Sequence, residues 1–224
     1  MRNLEAPGRS PVHATGSMAA TSHPLATSAA IDILRKNGNA MDAAIAACAV
    51  QCVVEPQSTG IGGDCFVLYS QNGSDNIIGY NGSGRAPAKA TPEWFDEQGI
   101  SEIEQHSPHA VTIPGAIDAW CRLHKDYGSK SLNEIFSYAI DYARNGYPVH
   151  DRVAFDWARC KNLLTQDLGA SQQFLIDGNT PKPGSVHKQQ KLANTLEKIA
   201  TEGRNGFYSG VVAEEIVTHL KNQT

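Results

Sequence analysis

Residues 40–54 read AMDAAIAACAVQCVV, and this stretch constrains the chain more than any other. Alanine dominates it, with Ile45, Cys48, Val50 and Cys52 among the larger positions. Alanine is the best helix former, and its small side chain lets a neighbouring backbone approach closely. The pattern therefore predicts a buried helix at the centre of a domain. Asn39 can cap it, and Asp42 falls in its first turn, where a carboxylate suits the helix dipole. Pro56 ends it, because proline cannot continue the backbone ladder. Gln51 interrupts the apolar run, which is too short to span a bilayer.

The flanking sequence predicts further elements. Leu25, Ala29, Ile33 and Leu34 recur at helical spacing over residues 24–37, and Gly38 is expected to stop that helix in the left-handed conformation. A glycine-rich loop, Ser58 to Asp64, follows Pro56. Two strand-like runs, Cys65–Ser70 and 76–81, flank Gln71-Asn72-Gly73-Ser74. Asn-Gly there predicts an antiparallel hairpin packed on helices. Residues 81–92, NGSGRAPAKATP, read as loop. A strand is expected at 109–113, leading to Pro114 at the first position of a helix that carries Ala116, Trp120, Leu123 and Tyr127 and ends at Gly128. Helices are also expected at Leu132–Asn145, ending at Gly146, and at 152–164, 189–201 and 211–221. Residues 1–17 read as an irregular lead-in, and 18–224 as one domain.

Composition narrows the function classes. The 224 residues carry 19 Lys and Arg against 23 Asp and Glu, a net charge of −4. No segment concentrates cations, so no nucleic-acid partner is expected. The first twenty or so residues hold no apolar signal-peptide core. The five cysteines, Cys48, Cys52, Cys65, Cys121 and Cys160, are odd in number and widely spaced. Reduced thiols and a cytoplasmic location are the expectation.

Most of the candidate sites have a plainer role. Cys48 and Cys52 could share a helix face, but no further ligand lies nearby, so they read as small buried side chains. His106 and His109 flank Pro108 without neighbouring ligands, and no metal is expected. The loop STGIGGD follows a helix and precedes a strand, the reverse of a dinucleotide fingerprint, and lacks the Gly-Lys-Ser/Thr of a P-loop. It reads as a tight, close-packed turn. Ser83 lies between Gly82 and Gly84, but the surrounding frame does not match a nucleophile elbow. Arg85 stands apart: it sits among small residues that let a ligand approach, and its guanidinium can hold a carboxylate through two parallel hydrogen bonds.

Several segments in order resemble the gamma-glutamyltransferase family. KNGNAMDAAIAA resembles its Gly-Gly-Asn-Ala-x-Asp-Ala-Ala signature, and VVEPQSTGIGGDCF its Glu-Pro-x-Ser-x-Gly-Ile-Gly-Gly loop. APAKAT, VTIPGAIDAW, YGSKSLNEIFSYAIDYARNGYPV and GFYSGVVAEEIV continue the series, so the resemblance runs from Met18 to Lys221. It implies an α+β fold, the αββα sandwich of N-terminal-nucleophile hydrolases, of which this chain would supply a helix-rich large-subunit portion with a few antiparallel strands.

The resemblance also implies a precursor that cleaves itself ahead of a Thr, which then attacks a gamma-glutamyl amide with its own amine as base. No metal or organic cofactor is implied. This chain has no match to the Thr-Thr-His that opens the family's small subunit, so no catalytic residue is assigned and a partner small subunit is expected. Inactivity, with uncovered apolar surface and strand edges, is expected of the chain alone. The family's substrate arginine lies in Arg-Glu-x-Ala-Pro. Here Ser83 holds that position and Arg85 follows two residues later, about 7 Å along an extended chain and on the same side. The implied substrate is thus a gamma-glutamyl compound such as glutathione, or another short acyl amide of the oxamate or glutaryl type. A non-catalytic truncated subunit is the remaining alternative.

Overall fold

The computed structural model describes residues 11–223. The lead-in expected at 1–17 falls outside the described residues as far as residue 10; residues 11–23 form neither helix nor strand. Helices α1 (Pro24–Arg35) and α2 (Ala40–Val54) pack together and lead into a hairpin, β1 (Cys65–Ser70) and β2 (Ile77–Gly82). Then come α3 (Pro92–Glu97), α4 (Ala116–Tyr127), α5 (Leu132–Asn145), β3 (Tyr147–Pro148), α6 (Asp151–Arg159), α7 (Lys161–Leu164) and α8 (Leu168–Phe174). The order closes with β4 (Val186–His187), α9 (Gln190–Glu202), α10 (Asn205–Tyr208) and α11 (Gly210–Lys221).

Helix α2 is the centre. It packs against α1, α4 and α5, and α9 in turn packs on α5. Eleven of its fifteen residues are buried. A helix that is apolar on every side belongs in a core. Ala46 and Ala49 are wholly buried, and side chains this small let the neighbouring helices close in. The thiols inside it are poor ligands: burial pushes Cys48 up to about 11 and Cys52 to about 12. All five cysteines are free.

The start of α2 does more than complement a dipole. Asn39 Oδ1 accepts from the Asp42 amide at 3.0 Å, and Asp42 Oδ2 accepts from the Asn39 amide at 2.9 Å, a reciprocal capping box. The same carboxylate, fully buried, also accepts from the Ser129 amide (2.9 Å), the Ser129 hydroxyl (2.5 Å) and the Lys130 amide (3.3 Å). It thereby ties α2 to the turn between α4 and α5. Burial alone would raise the Asp42 pKa, but the bonds from Ser129, Asn39 and Lys130 outweigh it and hold it below the usual carboxylate value.

The hairpin forms with its second strand one residue later than expected, and Asn72 and Gly73 have φ of 56° and 68° in its turn. Cys65 faces Gly82, Val67 faces Tyr80 and Ser70 faces Ile77. Val67, Tyr69 and Tyr80 pack against the core. The opposite face is open: Phe66 is 68% exposed, Leu68 83% and Ile77 57%. Among the described residues no third strand joins this pair, so both of its edges are free. The chain is a helix-rich α+β unit with few antiparallel strands.

Several local expectations fail. Asn37, at φ 62°, takes the left-handed position after α1, not Gly38. Gly38 is needed for space instead, since a Cβ there would sit 2.5 Å from Ile33 Cγ2. No strand forms at 109–113, where a single backbone bond joins the run to a neighbouring segment and no ladder follows. Pro108–Ala110 make a single 3-10 turn, and the Ile113 amide bonds the Arg85 carbonyl at 2.9 Å. Pro114 does not open α4. It precedes the capping residue Gly115, and its carbonyl accepts from the Tyr208 hydroxyl at 2.6 Å. The helix expected at 152–164 breaks at Cys160. Helices α3, α8 and α10 are additional.

Candidate functional site

Three backbone segments meet at the start of α4. The Gly63 carbonyl, at the end of the glycine loop, accepts from the amides of Gly115 and Ala116, both at 3.0 Å. The end of β2 crosses the same point. A Cβ on Gly115 would lie 2.1 Å from the Gly82 carbonyl oxygen, and one on Gly82 would lie 2.7 Å from Ala119 Cβ. Gly84 has φ 75°, and a Cβ there would lie 1.9 Å from the Ile113 carbonyl oxygen. Only glycine permits such backbone-on-backbone contact.

This corrects the reading of STGIGGD as the close-packed element. Gly60 and Gly62 have nothing within 4 Å of a notional Cβ and are exposed. The crowding falls on Gly82, Gly84 and Gly115, which the loop's own sequence cannot reveal. The loop is anchored at its start by Glu55, which sequence reasoning left without a role. Glu55 is buried, caps the end of α2 and offers its carbonyl to the amides of Ser58 (2.9 Å) and Thr59 (3.1 Å). Its carboxylate accepts from the Ser22 hydroxyl at 2.5 Å and from Gln51 Nε2 at 3.2 Å.

Arg85 leaves this junction directly after Gly84. It is exposed, and among the described residues its guanidinium makes no hydrogen bond or ion pair, while its carbonyl is pinned by Ile113. The left-handed turn at Gly84 also breaks the extended geometry expected of residues 83–85. Ser83 and Arg85 therefore do not alternate along one strand face. Ser83 turns back on the hairpin, its amide bonding Asn81 Oδ1 at 3.0 Å. Its hydroxyl reaches only the Gly84 carbonyl, at 3.5 Å.

The described residues supply a ready cation and no nucleophile-base pair: no Ser, Thr or Cys side chain among them bonds a histidine ring nitrogen. They also hold no group of three or more His, Cys, Asp or Glu placed to bind a metal ion. No helix among them is long and apolar enough to cross a membrane. His109 packs on Trp94 and Phe95, with ring centres 5.6 and 5.9 Å away.

The helix-rich α+β layout with one open antiparallel hairpin is that of the N-terminal-nucleophile hydrolase family of transpeptidases and acylases. The family model for gamma-glutamyltranspeptidase matches residues 26–224, and the chain belongs to that family. Over 209 residues, 93% of its length, it is 38% identical to a glutathione hydrolase-like proenzyme, YwrD, of Bacillus subtilis. It is 35% identical over 208 residues, 90% of its length, to the oxamate amidohydrolase proenzyme of Klebsiella pneumoniae. The chain spans 39% of the length of each of these relatives. The solved gamma-glutamyltranspeptidase of Helicobacter pylori superposes with a TM-score of 0.85 at 31% identity, covering 95% of this chain and 62% of that one. A cephalosporin acylase from Bacillus halodurans gives 0.83 at 35% identity, covering 98% of this chain and 43% of that one.

Proposed function

We propose that this chain is the N-terminal part of the large subunit of an enzyme that hydrolyses or transfers gamma-glutamyl or related short acyl groups. The nucleophile is a Thr exposed by autoproteolysis and carried by a small subunit outside this sequence. Arg85 holds the substrate carboxylate. The observation that carries this reading is an exposed arginine, unpaired among the described residues, whose backbone is pinned beside a three-way glycine junction. The open apolar face of Phe66, Leu68 and Ile77 supports a partner subunit that covers the hairpin. A cytoplasmic site of action belongs to the same proposal, on the odd number and wide spacing of the five cysteines.

The test is turnover by the full-length protein. Release of glutamate from a gamma-glutamyl anilide is expected, and Arg85→Ala raises KM about tenfold or more with a smaller change in kcat. The isolated chain turns over nothing; measurable turnover by it alone would overturn the assignment of the nucleophile to another segment.

A second substrate reading has its own support. Ser83 occupies the family arginine's position, and the turn at Gly84 sends Arg85 along a different course. Relatives named for oxamate and for cephalosporin point the same way. Turnover of short dicarboxylic monoamides with none of the anilide would select this reading. Sequencing beyond Thr224 separates both from a non-catalytic subunit, which would lack an in-frame Thr-Thr-His.

A further inference from the structure

Beside Arg85 lies a group of rings with no part in the core. Thr91 caps the short helix α3, its hydroxyl accepting from the Trp94 amide at 3.2 Å, and the helix sets Trp94 and Phe95 side by side. The turn at Pro108–Ala110 brings in His109. The three rings meet edge to face, with Trp94 and Phe95 centred 5.1 Å apart. None of them packs against the central hydrophobic cluster. They line a cleft of about 150 Å³ together with Pro87, Lys89 and Val111. A space of about 150 Å³ is enough for one benzene ring.

The cleft and Arg85 share one seam. The bond from the Ile113 amide to the Arg85 carbonyl sets residues 85–87 beside 111–113, and Pro87 and Val111 are the next lining residues along it. Arg85 and the lining residue Pro87 are two residues apart, at most about 7 Å along the backbone. A carboxylate on Arg85 can therefore carry an apolar group into the cleft, with Lys89 adding positive charge at its edge.

We infer that the Trp94, Phe95 and His109 cleft is a specificity subsite that takes an aromatic or branched apolar group on a substrate whose carboxylate is held by Arg85. This rests on the proposed role of Arg85. The ring faces discriminate by buried area and edge-to-face contact, which leaves the acyl chemistry to the groups supplied elsewhere.

Ligand-observed NMR titration of the full-length protein with phenylbutyrate and with butyrate tests it, and every side chain involved lies between residues 85 and 111. Phenylbutyrate is expected to bind about tenfold more tightly than butyrate. Trp94→Ala removes that preference and leaves butyrate affinity unchanged. Val111→Phe, which fills the cleft without deleting a ring, does the same and guards against a variant that fails to fold. Arg85→Ala weakens both carboxylates while their ratio stays. An unaltered preference in both Trp94→Ala and Val111→Phe would overturn the subsite, as would the absence of any preference in the parent chain. A preference that depends on Trp94 but survives Arg85→Ala with both affinities unchanged would keep the cleft and remove Arg85 as its anchor.

Discussion

Asp42 offers the sharpest test of how this fold is held. Asp42→Ala removes the acceptor from the amides of Asn39, Ser129 and Lys130 and from the Ser129 hydroxyl. Loss of the capping contact costs about 1 kcal/mol. Bonds to a charged group are individually worth about 1.5–3 kcal/mol, but Ser129 is exposed and its amide can rehydrate, so about 1 kcal/mol for each loop residue is the fair value. The sum is about 3 kcal/mol, or a fall in Tm of about 6–12 °C for a chain of this size. Asp42→Asn keeps the shape and one acceptor oxygen, so it should lose about half as much. Thermal melts followed by circular dichroism read both. A second signature is pH dependence. The folded pKa of Asp42 lies below its unfolded value, so its contribution is complete above about pH 4 and is lost as pH falls through the folded pKa. Asp42→Asn should flatten stability over that acid range. A loss below about 1 kcal/mol for Asp42→Ala would refute the reasoning, since the capping contact alone accounts for that much.

Other outcomes follow from the same geometry. Gly115→Ala places a Cβ 2.1 Å from the Gly82 carbonyl oxygen, so the junction must open by about 1 Å; a loss of about 3 kcal/mol in the melt is expected. Leu68→Lys changes a side chain that is 83% exposed on the open face of the hairpin. It should raise the solubility of the isolated chain, measured by sedimentation, and weaken recovery of the chain with a co-expressed small subunit. Burial lowers the His187 pKa from 6.5 to about 4, so the unfolded state takes up the proton first. Stability should then fall by about 3 kcal/mol between pH 6.5 and 4, a slope that His187→Phe removes in denaturant titrations.

Local rules made the helical frame legible. The alanine run, the Asn39 cap and the stops at Gly128 and Gly146 act within a few residues, and α1, α2, α4 and α5 fell close to their expected places. The Asn-Gly turn made the hairpin legible for the same reason. What escaped was non-local. Nothing near 109–113 tells that this extended run lacks a partner strand. Nothing in STGIGGD tells that its Gly63 carbonyl meets the start of α4, about fifty residues on. Arg85 was legible as a candidate because small residues surround it. The left-handed turn at Gly84, packed against the Ile113 carbonyl, was not, and it changes where the Arg85 side chain starts from. The ring cleft was hidden because Trp94 and His109 are brought together by tertiary contact, not by spacing.

The glycine junction has a consequence for how such a protein diversifies. Its geometry is written in main-chain atoms, so substitutions at Gly82, Gly84 or Gly115 break the frame before they can retune it. Arg85 and the half-exposed rings beyond it hang from that frame at the surface, where exchange costs the fold little. A mutational library would then divide sharply, with three intolerant glycines beside permissive neighbours. New substrate preference can be selected at the permissive positions while the backbone scaffold is inherited intact.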